Sequence, residues 1–138
     1  MKLEGVAVDL IGPMDTPSLA NNIYSLTVVD EFTGFAAVYP QRSKCDTLEM
    51  FQEIVVQHGA PRYLRSDNGT EFTSGAFREY CVKMGIKQEF TVPDTPQQNG
   101  LAERMNRTLV EMTRCLLIDG KLPKTFWPSA KQRVFEMW

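Results

Sequence analysis

The chain has 138 residues, 43% of them apolar, with 15 basic and 17 acidic side chains and a net charge of −2. That length suits one compact domain with its own core, and the ordinary aromatic and charged content argues against disorder. No apolar run reaches the ~18 residues of a membrane helix, and no signal-peptide pattern opens the chain. Three cysteines (Cys45, Cys81, Cys115) without CxxC spacing argue against a disulfide framework and a thiolate zinc site. The single histidine, His58, cannot build a His/Cys metal cluster and reads as a helix-end surface residue.

Taken in chain order, Gly5 to Leu10 is a short apolar run that contains Asp9 and predicts a buried strand. Tyr24 to Asp30 and Gly34 to Tyr39 are β-rich, and Glu31-Phe32-Thr33-Gly34 between them predicts a hairpin turn. Asp46 to Gln57 carries Leu48, Phe51, Ile54 and Val55 at helical spacing, ended by Gly59-Ala60-Pro61. Tyr63-Leu64 leads a short strand into the turn Arg65-Ser66-Asp67-Asn68-Gly69. A helix from about Ser74 to Met84 ends at Gly85, and Ile86 to Phe90 is a fifth strand.

Pro93 to Gly100 reads as a loop with no periodicity, and Leu101 to Ile118 as the longest helix. A last helix runs from about Lys124 to the end. The resulting order, β-β-β-α-β-α-β-α-α, predicts an α/β fold: a mixed sheet covered by helices. The chain starts almost on a strand and stops in an apolar helical pattern, so both ends read as cuts in a longer protein.

Three carboxylates stand out by placement. Asp9 ends the first strand, Asp67 follows the fourth, and Glu103 lies in the first turn of the long helix, with thirty-five residues between the last two. An acid at the end of a buried strand is costly unless it is paired or bound to a cation. If strands one and four are neighbours, Asp9 and Asp67 project together, and a helix starting beside them adds Glu103. Three hard oxygen ligands in an open cluster suit Mg²⁺ or Mn²⁺. Two such ions about 3.5–4 Å apart clamp an in-line phosphoryl displacement.

Each residue alone has a plainer explanation. Asp67 in Asp-Asn-Gly reads as a turn former, and Asn68 with Glu71 as a capping box. Glu103 favours the positive end of a helix dipole. Asp15, Asp30, Asp46, Glu71 and Asp94 read as structural or surface acids near turns.

Their company changes the balance. Ser66-Asp67-Asn68-Gly69-Thr70-Glu71-Phe72 and the stretch from Pro96 to Leu109, with Gln-Asn-Gly-Leu-Ala-Glu-Arg at its centre, resemble the two signatures of retroviral-type integrase catalytic cores. Asp-Leu-Ile-Gly-Pro-Met at Asp9 to Met14 gives the chain its resemblance to the copia-type LTR retrotransposon branch. Val29 to Gly34 and Leu122 to Trp127 extend the resemblance over nearly the whole chain, with Thr33-Gly34 where many relatives carry Ser-Arg.

The resemblance implies an RNase H-like fold with a five-stranded mixed sheet. It implies a catalytic triad of Asp9, Asp67 and Glu103 binding Mg²⁺ or Mn²⁺, two ions to a site. It implies DNA strand transfer, in which a 3′-hydroxyl of element DNA attacks target DNA, and 3′-end processing by water. Implied partners are element and target DNA and further copies of the full-length protein, with no membrane. The implied setting is synthesis in the cytoplasm within a Pol polyprotein and action on DNA in the nucleus. The family's zinc module and C-terminal DNA-binding region have no counterpart in this sequence. The mild negative charge therefore predicts weak, strongly salt-dependent DNA binding by this piece.

If Glu103 faces the metals, Asn106 and Arg107 share its helix face and are candidate phosphate contacts, with Arg114 two turns further on. Gln97, Gln98 and Asn99, in the loop before the helix, are candidate hydrogen-bonding contacts to nucleic acid. Two other readings stay open: a non-catalytic or host-adopted module for dimerisation or DNA docking, and a nuclease of the same fold that cuts RNA in hybrids.

Overall fold

The computed structural model describes residues 4–91 and 100–137, with side chains 100–103, 105, 106, 132 and 134–137 outside the description. Five strands form one sheet: β1 (Gly5–Ile11), β2 (Tyr24–Asp30), β3 (Ala36–Gln41), β4 (Tyr63–Ser66) and β5 (Lys87–Phe90). Their order across the sheet is β3-β2-β1-β4-β5. β1 to β3 form an antiparallel meander, while β4 joins β1 and β5 joins β4 in parallel. This is the expected five-stranded mixed sheet, with β1 at its centre.

The helices are α1 (Thr47–His58), α2 (Thr70–Thr73), α3 (Gly75–Met84), α4 (Gly100–Asp119) and α5 (Trp127–Met137). Short 3-10 turns at Lys44–Asp46 and Lys124–Phe126 lead into α1 and α5. Ser43 opens the first of these turns with a capping box: its Oγ accepts from Cys45 N, and its own N–H donates to Asp46 Oδ2. Ser74 caps α3 through Phe77 N, and Gly85 closes it at φ +71, which suits a residue without Cβ.

The alternation of the strands divides the core in two. Val6 and Val8 of β1, Leu26 and Val28 of β2 and Leu64 of β4 face Phe51, Phe72 and Phe77 of the first three helices. Phe51 stacks on Phe77 at 5.4 Å, and Phe72 meets Phe77 edge-on at 5.6 Å. Each such ring stabilises the fold by roughly 1.5–3 kcal/mol through burial. Ala7, Val29 and Val38 lie on the opposite face, packed against Leu109 of α4.

Three expectations shift. β1 runs two residues past Asp9 to Ile11, so Asp9 lies inside the strand rather than ending it. β3 begins at Ala36 rather than Gly34, because Gly34 at φ +77 still belongs to the turn, where its N–H reaches Asp30 O. The turn after β4 contains the extra helix α2, with Gly69 at its start and no side-chain cap. The Asn68–Glu71 capping box therefore does not form; Asn68 Nδ2 instead donates to Thr91 O.

Asp30 is structural, as expected, and 2% exposed. Its carboxylate accepts from the Phe32 and Thr33 N–H groups and from Thr33 Oγ1 at 2.6 Å. His58 ends α1, half-buried beside Phe35.

Candidate active site

Strand parity decides which side chains can meet. On β1 the residues Val6 and Val8 face α1 and α3, so Ala7 and Asp9 face α4. On β4 Leu64 faces the first core, so Arg65 faces the α4 side. β1 and β4 pair in parallel, with Val6 opposite Leu64 and Ala7 opposite Arg65. That pairing ends at Ala7 and Arg65; Asp9 lies two residues further along β1, and Asp67 two residues further on, just past the end of β4. On its other flank Asp9 stands opposite Thr27 of β2. The requirement that strands one and four be neighbours is met.

Asp67 is exposed, and its Oδ1 accepts from Gly69 N at 2.9 Å, an Asx-type turn that holds the carboxylate at the strand end. The other side of the turn is tied to the sheet by Thr91 N donating to Ser66 O at 2.8 Å. A Cβ at Gly69 would lie 2.5 Å from Glu71 Oε1 and 2.9 Å from Asp67 Oδ1. A side chain there would have to displace one of the two carboxylates that flank the spot. Glu71 Oε2 is buried without a hydrogen-bond partner. The sequence reading assigned Glu71 to a cap, and the structure brings it beside Asp67 instead.

Below Asp67 on the same sheet face lies an ionic network. Arg65 Nη1 donates to both Glu31 oxygens at 2.8 Å, and Nη2 donates to Glu89 Oε2 at 3.0 Å. Tyr63 Oη donates to Glu31 Oε2 at 3.2 Å. Partial burial works against the Arg65 charge, but the hydrogen bond to Glu89 and the charge of Glu31 outweigh it and push its pKa up. Burial first, then the Glu31 charge, raises the Tyr63 hydroxyl. This network ties β4 to β5 and, across β1, to the end of β2, immediately before the Asp67 turn.

Glu103 lies in the first turn of α4, the helix that packs on the Asp9 face of the sheet. Its side chain and that of Asn106 lie outside the described residues, as do Gln97, Gln98 and Asn99 entirely. Arg107 is exposed on α4, as are Arg104 and Arg114. Among the described residues there is no group of three or more His, Cys, Asp or Glu that could hold a metal ion. Asp9 on β1 and Asp67, just past the end of the adjacent β4, are hard oxygen donors. This donor chemistry fits a divalent cation that keeps water or phosphate as further ligands.

Residues 6–96 match the model of the integrase core domain. The chain belongs to the integrase core domain family. It is 45% identical over 135 residues to the retrovirus-related Pol polyprotein from transposon TNT 1-94 of Nicotiana tabacum, covering 94% of this chain and 10% of that protein. Against the corresponding polyprotein of transposon RE2 from Arabidopsis thaliana it is 39% identical, over 82% of this chain and 8% of the relative. Both relatives are Pol polyproteins of plant transposons. This integrase core thus spans about a tenth of the polyproteins that it matches.

Among solved structures, the HTLV-2 integrase catalytic core in complex with magnesium matches at a TM-score of 0.72 for its trimeric form and 0.68 for its dimeric form. Identity is 22% in both; 98% and 96% of this chain are covered, and 84% and 85% of the HTLV-2 chains. The fold is the RNase H-like fold of integrase catalytic cores.

Proposed function

We propose that this integrase core carries out DNA strand transfer, with Asp9, Asp67 and Glu103 as its metal-binding and catalytic triad. In the reaction a 3′-hydroxyl of element DNA attacks a phosphorus of target DNA. One P–O bond forms, the bond to the target 3′ oxygen breaks, and that oxygen leaves with a proton. With water in place of the hydroxyl, the same centre trims 3′ ends. The observation that supports this reading most is the parallel pairing of β1, which carries Asp9, with β4, which leads directly into Asp67.

Asp9 and Asp67 would share one cation, and Asp9 and Glu103 the other. When bound, Mg²⁺ or Mn²⁺ supplies the Lewis acidity that activates the attacking oxygen and neutralises charge on the leaving one. The chain's own part is to hold the carboxylates on rigid strands and to position the backbone of the DNA. Arg107, with Asn106, Gln97, Gln98 and Asn99, is assigned to phosphate and sugar contacts, which orient the substrate. The piece acts within a longer integrase cut from a Pol polyprotein, assembled with further copies, on DNA in the nucleus. The magnesium complexes of the HTLV-2 core in dimeric and trimeric forms are consistent with that cofactor and with oligomers.

The test is a strand-transfer assay on the full-length integrase that contains this core. Asp67→Asn and Glu103→Gln should each cut joining at least about a hundredfold, the cost of several kcal/mol of transition-state charge stabilisation. Joining that survives Glu103→Gln, or cleavage of RNA in hybrids in place of joining, overturns the assignment.

A further inference from the structure

A cavity of about 210 Å³ opens between α4, α5 and the loop after β1. It lies on the α4 side of the sheet, and neither Asp9 nor Asp67 is among its lining residues. Two of its polar groups are more than nine-tenths buried. Lys131 is 3% exposed, and its Nζ donates to Ser25 Oγ of β2 at 2.9 Å and stands 5.5 Å from the Trp127 ring centroid. Thr113 is 4% exposed, and its Oγ1 has no hydrogen-bond partner.

Neither group is comfortable alone. A buried ammonium needs an anion or several acceptors, and among the described residues Lys131 forms no ion pair. A helical threonine ordinarily returns its hydroxyl to the preceding turn, and Thr113 does not. The remaining walls are apolar, from Met14, Val110, Leu117 and the Trp127 ring, with Arg114 and Lys124 exposed at the rim and one acid, Asp15, beside them. The rim is fixed in place, because Trp127 Nε1 donates to Thr16 O at 2.9 Å and ties the loop to α5.

We infer that this cavity binds a small organic monocarboxylate with a short apolar body, its carboxylate between Lys131 and Thr113 and its body against Val110, Leu117 and Trp127. One cation and one hydroxyl match the two oxygens of a carboxylate. A phosphate dianion would need more donors and fewer apolar walls, and would face Asp15. The inference does not depend on the triad.

The probe is phenylacetate, titrated into the isotope-labelled chain and followed by amide and indole NMR signals, with phenylacetamide and inorganic phosphate in parallel. Saturable shifts of the Thr113 amide and Trp127 indole should appear with phenylacetate by about 10 mM, above the ~1 mM range of weak ligands. Phenylacetamide should bind at least about tenfold more weakly, a difference set by the lost charge. Lys131→Met should abolish the shifts. Thr113→Val, which keeps the shape and removes an unpartnered hydroxyl, should weaken binding several-fold while leaving the fold intact, and so serves if Lys131→Met does not fold. No saturable shift, equal binding of the amide, tighter binding of phosphate, or unchanged binding in Thr113→Val overturns the proposal and leaves a cavity that holds water only.

Discussion

Arg65 grips both carboxylate oxygens of Glu31 at 2.8 Å, joining the end of β2 to the middle of β4 across the central strand. The same guanidinium reaches Glu89 of β5, so one side chain spans three strands just before the turn that carries Asp67. Arg65 is 29% exposed and Glu31 17%, enough solvent to discount the pairing but not to erase it.

Replacing Arg65 with Met keeps the stem and leaves two acids facing each other. The expected loss is about 1–2 kcal/mol in urea unfolding at neutral pH, shrinking in high salt. A variant as stable as the wild type at low salt contradicts the bracing role.

Asp30 holds the β2–β3 turn through three hydrogen bonds. Asp30→Ala leaves the Phe32 and Thr33 N–H groups without their acceptor in a part-buried turn, and should cost about 2 kcal/mol. Asp30→Asn keeps one acceptor oxygen and should cost less. Thermal unfolding of the pair, in that order, is the measurement; equal losses would point to charge rather than acceptor geometry.

Burial lowers the Lys131 ammonium from 10.5 to about 8, and raises the Cys81 thiol from 9.0 to about 11. For Lys131 the unfolded chain binds more protons above pH 8, so stability rises with pH from there towards 10.5. For Cys81 the unfolded chain loses its proton first, so stability falls from pH 9 towards 11. The window from pH 8 to 9 therefore belongs to Lys131. Its charged surroundings are Asp15, Arg114 and Lys124 at the cavity rim, and Asp9 further along the same sheet face. Stability should climb by about 1 kcal/mol across that window, since one pH unit is worth 1.36 kcal/mol per proton. Lys131→Met should remove the climb, and a wild-type profile flat over those pH values would refute the burial argument.

The acidic pair predicts cation-linked stability. Mn²⁺ should raise the melting temperature of the wild type, by the equivalent of about 2.7 kcal/mol at a hundred times its dissociation constant. Asp67→Asn should show no such rise. A shift shared by both proteins would assign the ion to another site.

Most of the fold could be read from periodicity, because each strand face and helix stripe meets one of two cores. Phe51, Ile54 and Val55 of α1 are buried at the spacing that marks the helix. Helix α2 escaped notice because four residues do not complete a period. The start of β3 slipped because Gly34, apolar by habit, takes a positive φ and closes the turn.

At the candidate site, the choice of Asp9 and Asp67 rested on motif and spacing, and β1 and β4 are neighbours as that choice required. Glu71 does not cap the turn as its spacing from Asn68 suggests, because α2 takes Gly69 as its N-cap and Asn68 is drawn to Thr91 O instead. Lys131 gave no signal at all. In Lys-Gln-Arg it looks like a solvated flank, and only the seating of α5 on Ser25 buries it.

The meander of β1 to β3 joins segments close in sequence, whereas β4 reaches β1 only after α1 closes a long crossover. Local pairings form sooner than distant ones, since less chain entropy is lost in closing them. A nascent chain thus presents Asp9 on an early platform and gains Asp67 in a later step. Under the proposed triad, cation binding would then belong to the finished molecule, and an incompletely folded one would carry Asp9 by itself.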